Sequence, residues 1–416
     1  MTKRQPFKLD QLGTVARGKS RHRPRNDPAL YGGKWPFFQT GDVKEANLYL
    51  RHYAQTYNDV GLAQSKLWPV GTLCITIAAN IAETAILAIP GCFPDSIVGF
   101  IPDPKKSDAR FIKYFIETLK IGMQNASKGT TQDNLSVDKL MTFDFAVPGV
   151  EEQRCIASVL SAYDDLIENN TRRIAIMEEM ARRIYEEWFV RFRFPGHENV
   201  RMIESEMGLV PRDWVMVSIE SITSTLARGP TLSYVDDGIP VLNQRCIRHG
   251  EINLEAIQKA RPLAKAKEHL YLAPLDILIN SMGVGTLGRV SRNVSVLDKM
   301  IVHNCITLVR ASPARCSQAY LFYVLSGLQG EFESIAVGAT GQTSLPITFL
   351  QKLVIKLPPS DLMLAFDKFV LPMWHQIGVL KRAIGNLRTT RDLLLPKLIS
   401  GELDVSAMPE PEAAAA

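Results

Sequence analysis

Three sets of residues in this chain have types and spacing suited to recognition chemistry. Arg17, Lys19, Arg21, His22, Arg23 and Arg25 crowd one short stretch. Such a cluster either neutralises phosphates or is a solvated loop, and spacing alone does not separate the two. A second set is more spread: Arg228, Arg245 and Arg248, with Asn243 and Gln244 among them. Arg, Asn and Gln are the side chains that bond base edges bidentately. The third set lies in two Gly-flanked stretches, Lys128, Thr130 and Gln132 in one, Thr340, Gln342 and Thr343 in the other. These are base readers or plain turn residues.

Catalytic patterns are weak by comparison. Gly283-Val284-Gly285-Thr286-Leu287-Gly288 fits G-x-G-x-x-G and follows an apolar run. A dinucleotide site needs that pattern at the first turn of a βαβ unit, with an acidic residue beyond it. Here Arg289-Val290-Ser291 continues in strand-like fashion, so we read a tight turn between strands. An amino-methyltransferase acting alone needs an Asn-Pro-Pro-aromatic stretch, whereas the only Pro-Pro pair, Pro358-Pro359, follows Leu357. The histidines show no metal-ligand spacing, and His303-Asn304-Cys305 reads as a strand segment. No Walker loop, nuclease carboxylate motif or hydrolase elbow is present. The expectation is a binder without catalytic, metal or cofactor sites of its own.

Composition permits this and does not prove it. With 48 Lys and Arg against 43 Asp and Glu, the net charge of +5 allows a polyanion partner without demanding one. A length of 416 residues argues for two to three domains. The six cysteines form no C-x-x-C pair, which fits reduced, buried thiols in the cytoplasm. No apolar stretch follows the basic N-terminus as in a signal peptide. Residues 72–93 are apolar, but Asn80, Glu83, Pro90 and Gly91 interrupt them, so no membrane span is expected.

The elements that must position these residues occur twice. Gln132 to Val137 and Phe143 to Pro148 return as Gln342 to Ile347 and Leu353 to Pro358, at a constant offset of 210 residues. Within each copy, short apolar runs between Gly, Pro and Asn read as strands. They are Phe37-Phe38, Leu73 to Ile75 and Ile97 to Phe100, then Val241-Leu242, Ile277 to Ile279 and Ile306 to Val309. Ala109 to Lys120 and Ala319 to Leu328 have helical spacing. The fold class expected is therefore α+β, with two similar mixed α/β domains and a pseudo-two-fold internal repeat.

Each copy runs into a long heptad. The first seam is Ile156, Leu160, Tyr163, Ile167, Asn170, Ile174, Met177, Ala181, Ile184 and Trp188. The offset of 210 residues carries it onto Phe366, Val370, Met373, Ile377, Leu380, Ile384, Leu387, Arg391, Leu394 and Leu398. Four-three alternation is the coiled-coil repeat, and so narrow a seam is most cheaply buried against the other rod. Each rod of about 40 residues would span roughly 60 Å. Asn170 and Arg391 either fix register or lie near solvent. Pro372 is expected to kink the second rod or mark a break near its start. The boundaries expected are a domain over 1–147, a helix over 148–195, a linker over 196–211, a domain over 212–357, a helix over 358–402 and a disordered tail over 403–416.

The helical motifs carry a family resemblance. Glu152 to Ala157, Ile167 to Asn170, Met177 to Ala181 and Trp188-Phe189 resemble the central helix of the specificity subunit of type I restriction-modification systems. Leu395 to Leu403 resembles that family's second helix ending. Trp35 to Val43, which contains Gln39 and Thr40, resembles its opening target-recognition motif, with Ile239 to Asn243 as the second-copy counterpart. The resemblance covers all but about the last ten residues. It implies that each domain reads one half of a split double-stranded DNA target. It further implies that the two helices pack antiparallel as a ruler and dock modification subunits, two in number. Those subunits would supply S-adenosylmethionine chemistry at adenine N6. Restriction subunits would bring ATP- and Mg-dependent translocation and cleavage. The competing readings are a self-contained methyltransferase or nuclease, and a coiled-coil adaptor that ignores DNA.

Overall fold

The computed structural model describes residues 4–127, 135–205, 208–248, 251–252, 257–283, 285–294, 299–335 and 344–405. The chain divides into two units, Met1–Asn170 with Ile384–Ala416, and Thr171–Ala383. Both divisions fall inside continuous helices.

In the first unit the order is β1 (Gln5–Phe7), α1 (Leu9–Leu12), β2 (Gly13–Arg17), β3 (Tyr31–Phe37), α2 (Thr40–Glu45), β4 (Tyr49–Leu50), β5 (Gln55–Tyr57), α3 (Asp59–Ala63), β6 (Leu73–Thr76), β7 (Thr84–Leu87), β8 (Ile97–Pro102), α4 (Ala109–Ser127), α5 (Val137–Leu140), β9 (Phe145–Val147) and the start of α6 (Val150–Tyr185). A five-stranded sheet runs β2-β8-β6-β7-β4. Strands β6 and β7 are buried along their whole length, and apart from Thr76 and Thr84 their residues are apolar. Helix α4 packs on this sheet through Phe111, Ile112, Phe115 and Ile116, in a core that also takes Ile156 and Leu160 of α6.

The second unit repeats the plan. After β10 (Met202–Ser205) and β11 (Gly208–Pro211) come β12 (Val215–Ser218), α7 (Ile219–Ile222), β13 (Thr223–Arg228), β14 (Tyr234–Leu242), β15 (Ile247–Arg248), β16 (Glu251–Ile252), β17 (Gln258–Ala260), β18 (Ile277–Asn280), β19 (Val290–Arg292), β20 (Ile301–Val302), β21 (Ile306–Ala311), α8 (Gln318–Gly327), α9 (Gln329–Ile335), α10 (Ile347–Lys352), β22 (Val354–Leu357) and α11 (Ser360–Ser400). Its main sheet runs β13-β21-β18-β19.

Strand register makes the duplication concrete. Gln5 faces Val147 in the β1–β9 pair, and Val215 faces Leu357 in the β12–β22 pair, an offset of 210 residues on both strands. Tyr31 and Trp35 both face Tyr57 across a bulge, and Tyr234 and Ile239 both face Ala260 in the same way.

The long helices pack antiparallel in each unit taken alone. In the first, Ile156, Ala157 and Leu160 near the start of α6 share a core with Leu398 and Ile399 at the end of α11, with Leu394 at its margin. In the second, Tyr185 at the end of α6 meets Phe366 near the start of α11, ring centroids 6.4 Å apart. Acidic Glu151 and Glu152 open α6 and basic Arg182 and Arg183 close it, in the favourable sense for the helix dipole.

Ile167, Ile174, Val370, Ile377, Leu380 and Ile384 of the expected seam are buried, while Tyr163, Met177, Ile184, Met373 and Leu387 are half-buried. The second rod departs from strict heptads. Trp374, one place beyond Met373, is fully buried, because unit-two side chains Phe322 and Tyr323 also pack there.

Four expectations change. Pro372 does not break its rod: α11 is continuous through it. Both Pro372 and Lys368, whose carbonyl loses its usual partner, are solvent-exposed, so water can satisfy the freed group. The first rod ends earlier than Pro195, as α6 passes into a π-helical turn over Glu186–Val190 and Phe192 adopts φ 57°. The stretch taken as a linker contains the β10–β11 hairpin. The tail is ordered at its start, since Val405 is buried in the first unit's core. Its remainder, 406–416, lies outside the described residues.

Candidate nucleic-acid interface

In both units an arginine ends the first strand of the main sheet and a glycine follows. Gly18 donates its N–H to the Ile97 carbonyl at 2.9 Å, and Gly229 donates to Ile306 at 3.0 Å. A Cβ at Gly18 would strike the carbonyl oxygens of Phe93 and Pro94, and one at Gly229 those of Val302 and His303. Only glycine permits so close a backbone approach, and this fixes where Arg17 and Arg228 emerge.

Beyond Gly18 the basic loop is internally organised. Arg25 pairs with Asp95 at 2.5 Å, and Arg23 lies 3.9 Å from the other oxygen of that carboxylate. Arg23 also donates to the carbonyls of Ser20 at 2.6 Å and His22 at 2.8 Å. The Gln64 side chain accepts from the backbone N–H groups of Arg21 and His22. His22 meets Asp27 at 2.8 Å. The Ala29 N–H, and then His22, hold the Asp27 carboxyl below its usual range. Arg17, Lys19 and Arg21 are exposed, and no ion pair engages them among the described residues. The loop therefore presents three uncommitted cations on a fixed frame. Asp95 and Gln64 were not foreseen, because nothing local in the sequence signals contacts of 70 and 43 residues' separation.

Gln39 stands at the start of α2. Its N–H donates to Asp42 at 2.7 Å, and its side-chain amide donates to Gln55 at 2.8 Å. Thr40 is half-buried beside it. Lys44 on the same helix reaches Asn80, in the β6–β7 turn, at 3.3 Å. That turn holds Ala79 and Ala82 at φ 62° and 61°, a left-handed geometry that costs a β-carbon-bearing residue about 1–2 kcal/mol. The Ile77 carbonyl at its start accepts from Leu135 N–H at 2.9 Å, as Ser281 accepts from Leu345 at 2.9 Å in the second unit. Lys128, Thr130, Gln132, Thr340, Gln342 and Thr343 lie outside the described residues, as does the Arg248 side chain.

In the second unit Arg228 donates to the Leu345 carbonyl. Asn243 is a correction to the sequence reading. It is buried, and its side-chain oxygen accepts from Arg245 N–H at 2.9 Å, capping the turn over Gln244–Cys246. Asn280 donates to the Gln244 carbonyl at 3.3 Å. Two asparagines thus hold a turn that presents Gln244, half-buried, and Arg245, exposed. Asn280 was not foreseen, although a polar residue closing the apolar run Ile277 to Ile279 was the available signal. The stretch from Gly283 to Gly288 joins β18 to β19 with no helix after it, which removes the dinucleotide reading. Among the described residues no three His, Cys, Asp or Glu side chains converge as metal ligands, and no helix is long and apolar enough to cross a membrane.

A family model described as "Type I restriction modification DNA specificity domain" matches residues 1–179. The type I restriction enzyme MjaIX specificity subunit of Methanocaldococcus jannaschii is 24% identical over 410 residues, covering 96% of this chain and 94% of that protein. The HindI specificity subunit of Haemophilus influenzae is 20% identical over 345 residues, covering 67% and 72%. The crystal structure of the type I restriction-modification S subunit from M. genitalium matches with a TM-score of 0.64 at 15% identity, covering 95% of this chain and 96% of that one, a likeness of fold. Residues 1–179 match the model of that specificity domain, and along nearly its whole length the chain is similar to a specificity subunit of a type I restriction enzyme.

Proposed function

We propose that each unit reads one half of a bipartite double-stranded DNA target, and that α6 and α11 set the gap between the halves. The carrying observation is the duplicated register, in which β1–β9 and β12–β22 repeat at an offset of 210 residues. So do the starts of α6 at Val150 and α11 at Ser360. Repeated readers address repeated half-sites, and a continuous helix has a fixed rise of about 1.5 Å per residue.

On this reading the chain is the non-catalytic recognition subunit of a cytoplasmic complex. Modification subunits, two in number, dock on the long helices. Their support is apolar surface that packing inside the chain does not explain: Leu166, Ile176 and Met180 on α6, and Leu364, Phe369 and Leu393 on α11, are all exposed. S-adenosylmethionine binds those partners, and ATP with Mg binds restriction subunits. The adenine to be methylated leaves the stack to reach the partner's pocket.

Methylome sequencing of cells carrying this chain with its partners tests the reading. The expected result is a split motif with a constant gap. Deleting one heptad from α6 should change the gap and spare both half-site sequences. A continuous motif, or a gap indifferent to that deletion, rejects the reading.

A further inference from the structure

Tyr234 is an exposed aromatic side chain at the edge of the second unit's candidate interface. It opens β14 and is 43% exposed. Its ring lies over the imidazole of His303, with centroids 5.9 Å apart and planes 14° from parallel. Shared register makes Tyr31 its counterpart in the first unit. There the ring is packed against Tyr57 at 5.2 Å and Phe37 at 6.1 Å, and the hydroxyl donates to the Arg25 carbonyl at 2.7 Å. In the first unit the tyrosine at this place is thus half-buried among other rings, whereas in the second unit it is exposed.

The support beneath Tyr234 is rigid. His303 donates its backbone N–H to Leu242 at 2.8 Å, and the Val302–His303 backbone lies tight against Gly229. Asn304 donates to the Thr231 hydroxyl at 3.2 Å. Burial lowers the His303 pKa from its ordinary value, which favours the neutral ring. The imidazole Nδ1 is buried without a hydrogen-bond partner among the described residues. The surroundings are those of the candidate interface: Arg245 acts electrostatically on the Tyr234 phenol, and Arg228 on the neighbouring Cys305 thiol. An exposed ring, backed by a second ring on a clamped backbone, with the charge of Arg245 within electrostatic reach, has the build of a base-stacking platform.

We propose that Tyr234, backed by His303, stacks on an unstacked nucleobase within the half-site read by the second unit. The inference rests on the bipartite reading above. Every base has a π-face, so the platform contributes affinity at one position and leaves sequence discrimination to neighbours such as Gln244 and Arg245.

The test uses the full chain in complex with its modification subunits and the duplex defined by its methylome. Tyr234→Ala should weaken binding of that duplex by about tenfold or more, while Tyr234→Phe, which keeps the ring, stays near wild type. With 2-aminopurine placed in turn along the half-site, one position should be quenched in the wild-type complex and bright in the Tyr234→Ala complex. Wild-type affinity in Tyr234→Ala, with no position changing its emission, overturns the platform and leaves the bipartite reading intact. A wild-type complex with no preference for a bipartite duplex overturns that reading and the platform with it. Thermal melting of the variants identifies loss through misfolding, and Tyr234→Phe then decides through the fluorescence scan alone.

Discussion

Arg391 and Asp164, 227 residues apart in the chain, form an ion pair within the first unit. The Tyr114 hydroxyl donates to the second oxygen of the same carboxylate at 2.5 Å. Burial by itself would lower the Arg391 pKa, and the charge of Asp164 reverses this and raises it. The repeat offset of 210 residues carries Asp164 onto Trp374 and Ala181 onto Arg391. Trp374 and Ala181 are both fully buried in the second unit. One copy thus fills this helix position with a charged pair and the other with a large and a small apolar side chain. Of the two readings of Arg391, the solvent-facing one is excluded. A single buried ion pair at a defined level favours one register, as polar seam residues do.

Replacing Arg391 by Ala should leave Asp164 buried and unpaired, at a cost of about 3–5 kcal/mol of stability. Converting both residues to Leu should recover most of it, because well-packed apolar groups replace buried pairs at little cost. Denaturant unfolding measures both variants. Equal losses in the single and double variants would contradict the coupling.

Trp374 carries the second unit's packing against α11. Its ring meets Phe322 at 5.3 Å and lies 4.2 Å beneath the Arg292 guanidinium, which pairs in turn with Glu178 on α6. Trp374→Ala should cost about 3–5 kcal/mol. Arg292→Lys keeps the charge and loses the planar stack, so a loss of about 1–2 kcal/mol is expected. Unfolding midpoints that do not move would place the strength of this anchor elsewhere.

The basic loop makes a graded prediction. Lys19→Ala and Arg21→Ala should weaken DNA binding on all sequences alike, each lowering the salt slope by about one. Arg25→Ala should change the slope by less, because Asp95 already neutralises that guanidinium. Titrations at several salt concentrations decide, and equal slopes for all three variants would reject the distinction.

Thiol chemistry reports on the core. Burial pushes the Cys92 thiol up to about 11 and Cys316 up to about 12, and raises Cys74, Cys246 and Cys305 as well. Of the six cysteines only Cys155 is less than fully buried. Alkylation near about pH 8 should therefore modify Cys155 first and the others only on unfolding, since the thiolate is the reactive form. Rapid labelling of Cys92 or Cys316 in the folded chain, read by mass spectrometry, would show that the first or second unit opens.

Periodicity and repetition are local properties, and they were legible without coordinates. The duplicated order, the two long helices and most of their apolar seam follow from residue types at fixed spacing, since 3.6- and 2-residue periods dictate which faces are buried. What a side chain meets across the fold has no such signature. Asp95 neutralising Arg25, Asn243 turning inward to cap its own turn, Trp374 displacing Met373 from the seam, and Arg391 finding Asp164 were all decided by tertiary packing. Each depends on which distant surface a residue faces once the sheets and helices close, and the energy of burying a charge or a ring is set by that partner.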